Sequence, residues 1–120
     1  MIRELILVVD NDCNLSKSIA LILQRAGFNV KTCASIDDAI VRIKSGQYRL
    51  VVLDSNMPEM NQVLLPNILW HYPCLPILIL SDPSLFEEEN IYMPQKTHYL
   101  VKPINPEHLL EQVQAILNRK

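Results

Sequence analysis

Four short apolar runs in this chain each stop at a residue that could take part in phosphoryl chemistry. The residues at these four ends are Asp10, Asp54, Ser81 and Lys102. A carboxylate can attack phosphorus or bind a divalent cation, a hydroxyl can donate a hydrogen bond to a phosphoryl oxygen, and an ammonium can neutralise the charge on those oxygens. If the four residues meet, the sequence predicts a phosphoryl-transfer site.

The apolar runs themselves are typical of buried parallel strands, which read as continuous stretches of Val, Ile and Leu. They cover 5–9, 50–53, 77–80 and 99–101. In open α/β sheets ligands collect at the carboxyl ends of the strands. We therefore expect the two carboxylates, the hydroxyl and the ammonium to share one crevice at that edge of the sheet.

Segments with helical spacing lie between the strands. Apolar residues predict a first helix over about 14–26. Ser35, with Asp38 three residues later, predicts the start of a second helix, and Gly46 is expected to end it in the left-handed conformation. At the other end of the chain, Asn105 predicts the start of a last helix that continues to Lys120.

The two helices predicted in the middle of the chain are short or irregular. Pro66 interrupts the segment 61–71, and prolines at both ends bracket the segment 84–93. Trp70 is expected to pack at the end of the first of these two segments. Cys13 is expected to be a small, partly buried residue, and His71 and His98 are interpreted as surface residues without a ligand role.

A fifth strand is predicted over 28–33, where apolar and polar residues alternate. Five strands that alternate with five helices indicate a doubly wound α/β fold, with helices on both faces of a five-stranded parallel sheet. A chain of 120 residues is long enough for one compact core and too short for two, so we expect one domain over 1–120.

Composition excludes several classes of partner. The formal net charge of −2 and the scattered basic residues argue against direct binding of nucleic acid. No apolar stretch approaches the length needed to span a bilayer, so no membrane association is expected. The three cysteines are far apart and form no metal-binding motif, which favours a reduced, cytoplasmic protein.

With these residues placed, the chain resembles the receiver domains of two-component response regulators, the CheY-like family with a flavodoxin-like fold. The resemblance rests on four stretches in matching order and spacing: Leu7-Val8-Val9-Asp10-Asn11-Asp12, Val52-Leu53-Asp54-Ser55-Asn56-Met57-Pro58, the strand that ends at Ser81, and Tyr99-Leu100-Val101-Lys102-Pro103. Each stretch is weak evidence alone, whereas all four in register are specific.

The resemblance implies a phosphoacceptor and not an enzyme. It assigns Asp54 as the residue that accepts a phosphoryl group from a sensor histidine kinase. It places Mg²⁺ beside that carboxylate, held also by Asp10, by the position that Asn11 occupies, and by the backbone carbonyl of Asn56. It implies that Ser81 and Lys102 contact the phosphoryl oxygens.

The same resemblance implies a switch. Ser81 is expected to move toward the phosphoryl group while Tyr99 shifts inward behind it, and the bond between Lys102 and Pro103 is expected to be cis. The face formed by the fourth helix, fifth strand and fifth helix would then change its contacts with a downstream effector domain or protein. Because Glu87 to Glu89 make the fourth helix acidic, self-association through this face is expected to be weak or to need a basic partner.

Two departures from the family pattern leave a second function open. Receivers usually carry a second acid where this chain has Asn11, so Mg²⁺ is expected to bind weakly unless Asp12 turns inward. The position after Ser81 is usually small and is here Asp82, which would repel a phosphoryl donor. These features and an altered fourth helix favour the alternative of a degenerate receiver that binds proteins without phosphorylation.

A third hypothesis is a flavodoxin-like protein that binds FMN. Such a protein needs a phosphate loop rich in Ser, Thr and Gly after the first strand. This chain has Asp10 to Asn14 there, and the acidic side chains would repel a flavin phosphate. We therefore place this hypothesis behind the two receiver functions.

Overall fold

The computed structural model describes residues 5–46, 48–56, 63–82 and 97–118. Its strands are β1 (Leu5–Val9), β2 (Asn29–Cys33), β3 (Leu50–Asp54), β4 (Ile77–Ser81) and β5 (Thr97–Val101). Its helices are α1 (Cys13–Arg25), α2 (Ile36–Ser45), α3 (Leu65–His71) and α4 (Pro106–Asn118). Helix α4 is the last helix of the sequence prediction, and the helix predicted over 84–93 lies outside the described residues.

The five strands form one parallel sheet in the order β2-β1-β3-β4-β5. A parallel neighbour needs a crossover connection, and right-handed crossovers on either side of β1 direct helices to both faces. The predicted doubly wound flavodoxin-like α/β fold is confirmed.

The core lies on both faces of the sheet because successive side chains of a strand point in opposite directions. In β1, Leu7 and Val9 face the side covered by α2 and α3, whereas Ile6 and Val8 face α1 and α4. All five residues of β3 and of β4 are buried. This two-sided burial explains why the strands read as continuous apolar runs.

The first residue of each long helix is set by a side-chain cap. Asp12 Oδ1 accepts hydrogen bonds from the backbone N–H groups of Asn14 and Leu15 and so begins α1. Ser35 and Asn105 accept equivalent bonds at the starts of α2 and α4, as the sequence predicts. Because Asp12 is the cap, α1 begins at Cys13, one residue before the predicted start.

The two glycines have different roles. Gly27 follows α1 with a φ of 101°, a backbone conformation that favours glycine. The expectation that Gly46 adopts the left-handed conformation is wrong, because its φ is −102° and its ψ 179°. Glycine is needed there because a Cβ would lie 2.5 Å from Cε2 of the Tyr48 ring.

Helix α3 is short, as predicted, with 7 residues, but it differs from the prediction in two respects. Pro66 lies in its first turn and does not interrupt it. The prediction that Trp70 packs is wrong, since 83% of Trp70 is exposed. Leu64, directly before α3, and Ile68 within it are buried, whereas Trp70 lies on the solvent side. Cys13 is also exposed and not partly buried.

No helix within the described ranges is long and apolar enough to cross a membrane.

Candidate functional site

The structure brings the chemically active residues to the carboxyl edge of the sheet. Asp10 follows β1, Asp54 and Ser81 are the last residues of β3 and β4, and Lys102 follows β5. These strands are consecutive in the sheet and run in the same direction. The position of each residue therefore follows from the length of the apolar run before it.

Asp54 and Lys102 form an ion pair. Lys102 Nζ lies 2.8 Å from Asp54 Oδ1, and the same oxygen accepts a hydrogen bond of 3.1 Å from the backbone N–H of Asn56. The Asp54 side chain is 5% exposed and that of Lys102 is 20% exposed. The backbone N–H of Lys102 donates to the carbonyl of Ser81 at 2.8 Å, which fixes the lysine against the end of β4.

Asp10 is the second buried carboxylate of the site. Its Oδ1 accepts a hydrogen bond of 2.8 Å from the backbone N–H of Asp12, whereas its buried Oδ2 has no partner among the described residues. Burial raises the pKa of Asp10 to about 6, the Asp12 N–H opposes this rise, and the negative charge of neighbouring Asp54 adds to it. With both carboxyl groups ionised, Asp10 and Asp54 carry two negative charges against the one positive charge of Lys102.

The carboxylates of Asp10 and Asp54 suit a hard divalent cation. Mg²⁺ prefers oxygen ligands, and it is usually held by one or two carboxylates together with water and substrate oxygens. The Asp10 Oδ2, which has no hydrogen-bond partner within the described part of the chain, and the negative charge of Asp54 beside it would both be satisfied by a cation. The Asn56 carbonyl belongs to the turn directly after β3 and is the third candidate ligand.

The acidic loop after β1 contributes less than its composition suggests. Asn11 is exposed, and Asp12 is exposed with its Oδ1 occupied as the cap of α1. Asp12 could replace the missing acid only if its side chain turned inward, and in this structure it does not. Within the described ranges no group of three or more His, Cys, Asp or Glu side chains is placed to hold a metal ion.

Ser81 lies at the end of β4, next to Leu80, which pairs with Asp54 across the sheet. It is 3% exposed, and its hydroxyl donates a long hydrogen bond of 3.4 Å to the carbonyl of Asp82. The backbone N–H of Asp82 donates to Ser55 Oγ at 3.4 Å, so Ser55 links the ends of β3 and β4. Nothing in the sequence except its place after Asp54 distinguishes Ser55, so this link was not predicted.

Tyr99 and Pro103 take the places expected of them. Tyr99 is half-buried on β5, opposite Ile79 of β4, and packs against the core on the side of α2 and α3. Burial raises the pKa of its hydroxyl. The peptide bond between Lys102 and Pro103 is cis, as the resemblance implied.

Comparison with known proteins agrees with the resemblance seen in the sequence. Residues 6–114 match the family model described as "Response regulator receiver domain". The chain belongs to the response regulator receiver family. This confirms the resemblance drawn from the four sequence stretches.

Curated response regulators match almost the whole length of this chain. A probable transcriptional regulator ycf29 of Cyanophora paradoxa is 30% identical over 95% of the chain and 56% of its own length. The DNA-binding response regulator MtrA of Mycobacterium tuberculosis is 27% identical over 98% of the chain and 52% of its own length. The receiver chain therefore spans about half the length of these relatives.

Solved receiver structures have the same fold. The chemotaxis response regulator CheY4 of Vibrio cholerae superposes with a TM-score of 0.84 at 28% identity, covering 97% of this chain and 100% of that one. A CheY-like receiver domain protein from Methanospirillum hungatei superposes with a TM-score of 0.85 at 24% identity, covering 98% and 95% of the two chains.

Proposed function

We propose that this receiver accepts a phosphoryl group on Asp54 from a sensor histidine kinase in the cytoplasm and passes the signal to a downstream effector domain or protein. The observation that carries the proposal is the 2.8 Å contact between Lys102 Nζ and Asp54 Oδ1, beside the buried Asp10 carboxylate. An ammonium, a nucleophilic carboxylate and a second acid in one shielded crevice are the parts that phosphoryl transfer to an acid requires.

The chemistry follows from those parts. An oxygen of Asp54 attacks the phosphorus of a phosphohistidine. The new O–P bond forms as the N–P bond breaks, and the electron pair of the N–P bond returns to the imidazole nitrogen. Lys102 neutralises charge on the phosphoryl oxygens. Asp10, Asp54 and the Asn56 carbonyl would hold Mg²⁺, which when bound supplies further electrostatic stabilisation of those oxygens.

A new partner for Ser81 and a new position for Tyr99 would transmit the event. Among the described residues, the Ser81 hydroxyl donates one long bond, to the Asp82 carbonyl, so a phosphoryl oxygen offers it a stronger, charge-assisted partner. Val101 and Tyr99 on β5 lie beside β4, whose last residue is Ser81. We propose that movement of Ser81 favours an inward position of Tyr99 and so alters the surface around β5.

The decisive experiment is phosphorylation by a small phosphodonor. We expect acetyl phosphate with Mg²⁺ to add one phosphoryl group to the wild-type protein, detected by intact mass, and Asp54→Asn to abolish the adduct because it removes the nucleophile while keeping its shape. Asp37→Asn, which changes an exposed acid on α2, is the matched control and should leave the adduct unchanged.

Two outcomes would count against the proposal. An undiminished adduct in Asp54→Asn would place the phosphoacceptor elsewhere. A wild-type protein that takes up no phosphoryl group from acetyl phosphate or from a kinase, yet keeps its fold, would favour the degenerate receiver that works by protein contacts alone.

A further inference from the structure

A groove of about 650 Å³ lies along one edge of the sheet. Strand β2 is last in the strand order, and among the described strands it pairs with β1 alone. The groove is lined by Lys31 and Thr32 of β2 and by Lys17, Leu21 and Gln24, which recur on one face of α1. An edge strand that is open to solvent can pair with the backbone of another chain.

The backbone of β2 offers hydrogen-bonding groups on this edge. The N–H of Asp10 donates to the carbonyl of Cys33 at 3.1 Å, so the backbone groups of Cys33 face β1. Since successive residues of a strand direct these groups to opposite sides, the N–H and carbonyl groups of Val30 and Thr32 face away from β1. Both residues line the groove, and Thr32 is exposed. A strand laid in the groove would therefore meet two donors and two acceptors.

Charge decides which kind of segment suits the groove. Lys17 and Lys31 are exposed, and neither forms a salt bridge with another described residue. The third cation of the lining, Arg42, is paired with Asp38 at 3.1 Å and so adds no net charge. Over 13–35 the chain carries three basic residues and no acid, although the net charge of the whole chain is −2. The groove is therefore a basic region on a slightly acidic protein.

The same charges disfavour a second copy of this chain as the occupant. Two β2 strands paired edge to edge would bring the lysines of both copies together along the groove, and like charges on facing strands are destabilising. Lysine on an edge strand is a common device against such self-pairing. An acidic strand meets no repulsion of this kind and is complementary to both lysines.

From the open backbone and the charge together, we propose that the groove between α1 and β2 binds an acidic segment of another protein, which adds to the sheet as a sixth strand. Its backbone pairs with the outward groups of Val30 and Thr32. Its acidic side chains contact Lys17 and Lys31, and its apolar side chains contact Leu21, which is 47% exposed. In this mode of recognition main-chain bonds supply affinity and side-chain contacts supply specificity. The groove and β5 lie at opposite edges of the sheet, so this surface is separate from the proposed effector surface.

Three capped peptides of eight residues test the charge preference. In each peptide threonine, a residue that favours strands, alternates with glutamate, glutamine or lysine. In amide NMR titrations we expect the glutamate peptide to bind about fivefold more tightly than the glutamine peptide, and the lysine peptide to bind more weakly than both. Binding of the lysine peptide as tight as that of the glutamate peptide would overturn the charge preference. No binding of the glutamate peptide at millimolar concentration would overturn the site.

Hydrogen exchange tests whether the peptide adds as a strand. With the glutamate peptide at ten times its dissociation constant, the amide proton of Thr32 should exchange about tenfold more slowly, because it gains a backbone partner. Two further glutamate peptides carry N-methyl groups, one on every glutamate and the other on every threonine. Because a strand pairs on one edge through alternate residues, one of the two should lose binding and the other should keep it. Unchanged exchange at Thr32, or equal affinity of the two methylated peptides, would overturn strand addition.

Charge variants assign the binding to this groove. Lys31→Gln should weaken binding of the glutamate peptide about threefold and leave binding of the glutamine peptide unchanged, and Lys17→Gln should act in the same direction. Lys44→Gln changes an exposed lysine of α2 that lines a different part of the surface, and as the matched control it should affect neither peptide. Equal losses in Lys31→Gln and Lys44→Gln would place the peptide elsewhere.

A last measurement separates the acidic segment from a second copy of the chain. Without peptide, exchange at the Thr32 amide should not depend on protein concentration. Protection that grows with protein concentration would assign this edge to self-association and overturn the proposal. None of these measurements needs phosphorylation, so their failure is separate from failure of the proposed function.

Discussion

Asp10 is a buried carboxyl whose surroundings disfavour its charged form. Its carboxyl is 2% exposed, one of its oxygens has no described partner, and burial raises its pKa to about 6. In the unfolded chain its pKa is near the ordinary 3.8. The folded state therefore binds a proton more readily than the unfolded state, and this advantage is lost as the pH rises through the folded pKa.

The first prediction follows from this sign. In the presence of a chelator, Asp10→Asn should be more stable than the wild type above about pH 7, by on the order of 2 kcal/mol, because the variant has no charge to bury. The difference should shrink toward zero below about pH 4. Urea unfolding of both proteins at several pH values measures it. A difference that stays constant with pH would mean that Asp10 titrates alike in the folded and unfolded chains.

Asn11 provides the second prediction at this scale. Asn11→Asp should tighten Mg²⁺ binding by about fivefold to tenfold, since it adds a carboxylate beside two others, and it should lower the stability of the metal-free protein through carboxylate repulsion. Titration calorimetry and chelator-treated thermal unfolding are the measurements. Equal or weaker Mg²⁺ binding would mean that another acid already supplies the charge.

At the scale of the elements, the position of Asp12 allows two roles: it could cap α1 or bind Mg²⁺. In the structure it caps α1, so Asp12→Ala should cost about 1 kcal/mol of unfolding free energy, whereas Asp12→Asn keeps an oxygen acceptor and should cost little. Neither variant should weaken Mg²⁺ binding. Chemical unfolding and calorimetry on the pair test this, and a loss of Mg²⁺ affinity in Asp12→Asn would show that the carboxylate serves the metal.

The elements that the sequence predicted best were those with a local cause. Buried strands, the caps Ser35 and Asn105, and the placement of four polar residues at strand ends all follow from periodicity and neighbouring residues. The environments of Trp70 and Gly46 depend on tertiary packing, which the sequence does not show: Ile68 of α3 and Leu64 before it face the core, and the Tyr48 ring takes up the space beside Gly46.

The candidate site was predictable in its location and less so in its bonds. That Lys102 would meet Asp54 follows from strand order together with the family resemblance. Two details depend on distances of a few tenths of an ångström: that Asp10 keeps an oxygen without a partner among the described residues, and that Ser55 links β3 to β4. Sequence patterns do not carry information at that precision.

At the scale of the whole molecule, the sheet connects the site around Asp54 to both layers of helices. β3 and β4 are buried on both faces, and alternate residues of each contact opposite halves of the core. Cores packed at native density transmit displacement because they leave little free space. A displacement of Asp54 in β3 would therefore act directly on β4, which is paired with β3, and through β4 on β5.

The last prediction tests that connection. Adding beryllofluoride with Mg²⁺ as a phosphoryl mimic should shift the amide NMR signals around Asp54 and also those of Tyr99 on β5, because a ligand shifts a conformational equilibrium through its different contacts in the two states. Asp54→Asn is the control and should show neither set. Shifts limited to the loops around Asp10, Asp54 and Lys102 would indicate a receiver that binds the mimic without transmitting.

The exposure of Trp70 has a consequence for spectroscopy. It is the only tryptophan in the chain, and 83% of it already contacts solvent in the folded state. Its emission in the native protein should resemble that of a short peptide, so unfolding would change the colour of the fluorescence very little. A melting curve recorded by tryptophan emission would appear almost flat for a protein that unfolds cooperatively, while far-ultraviolet circular dichroism would reveal the transition.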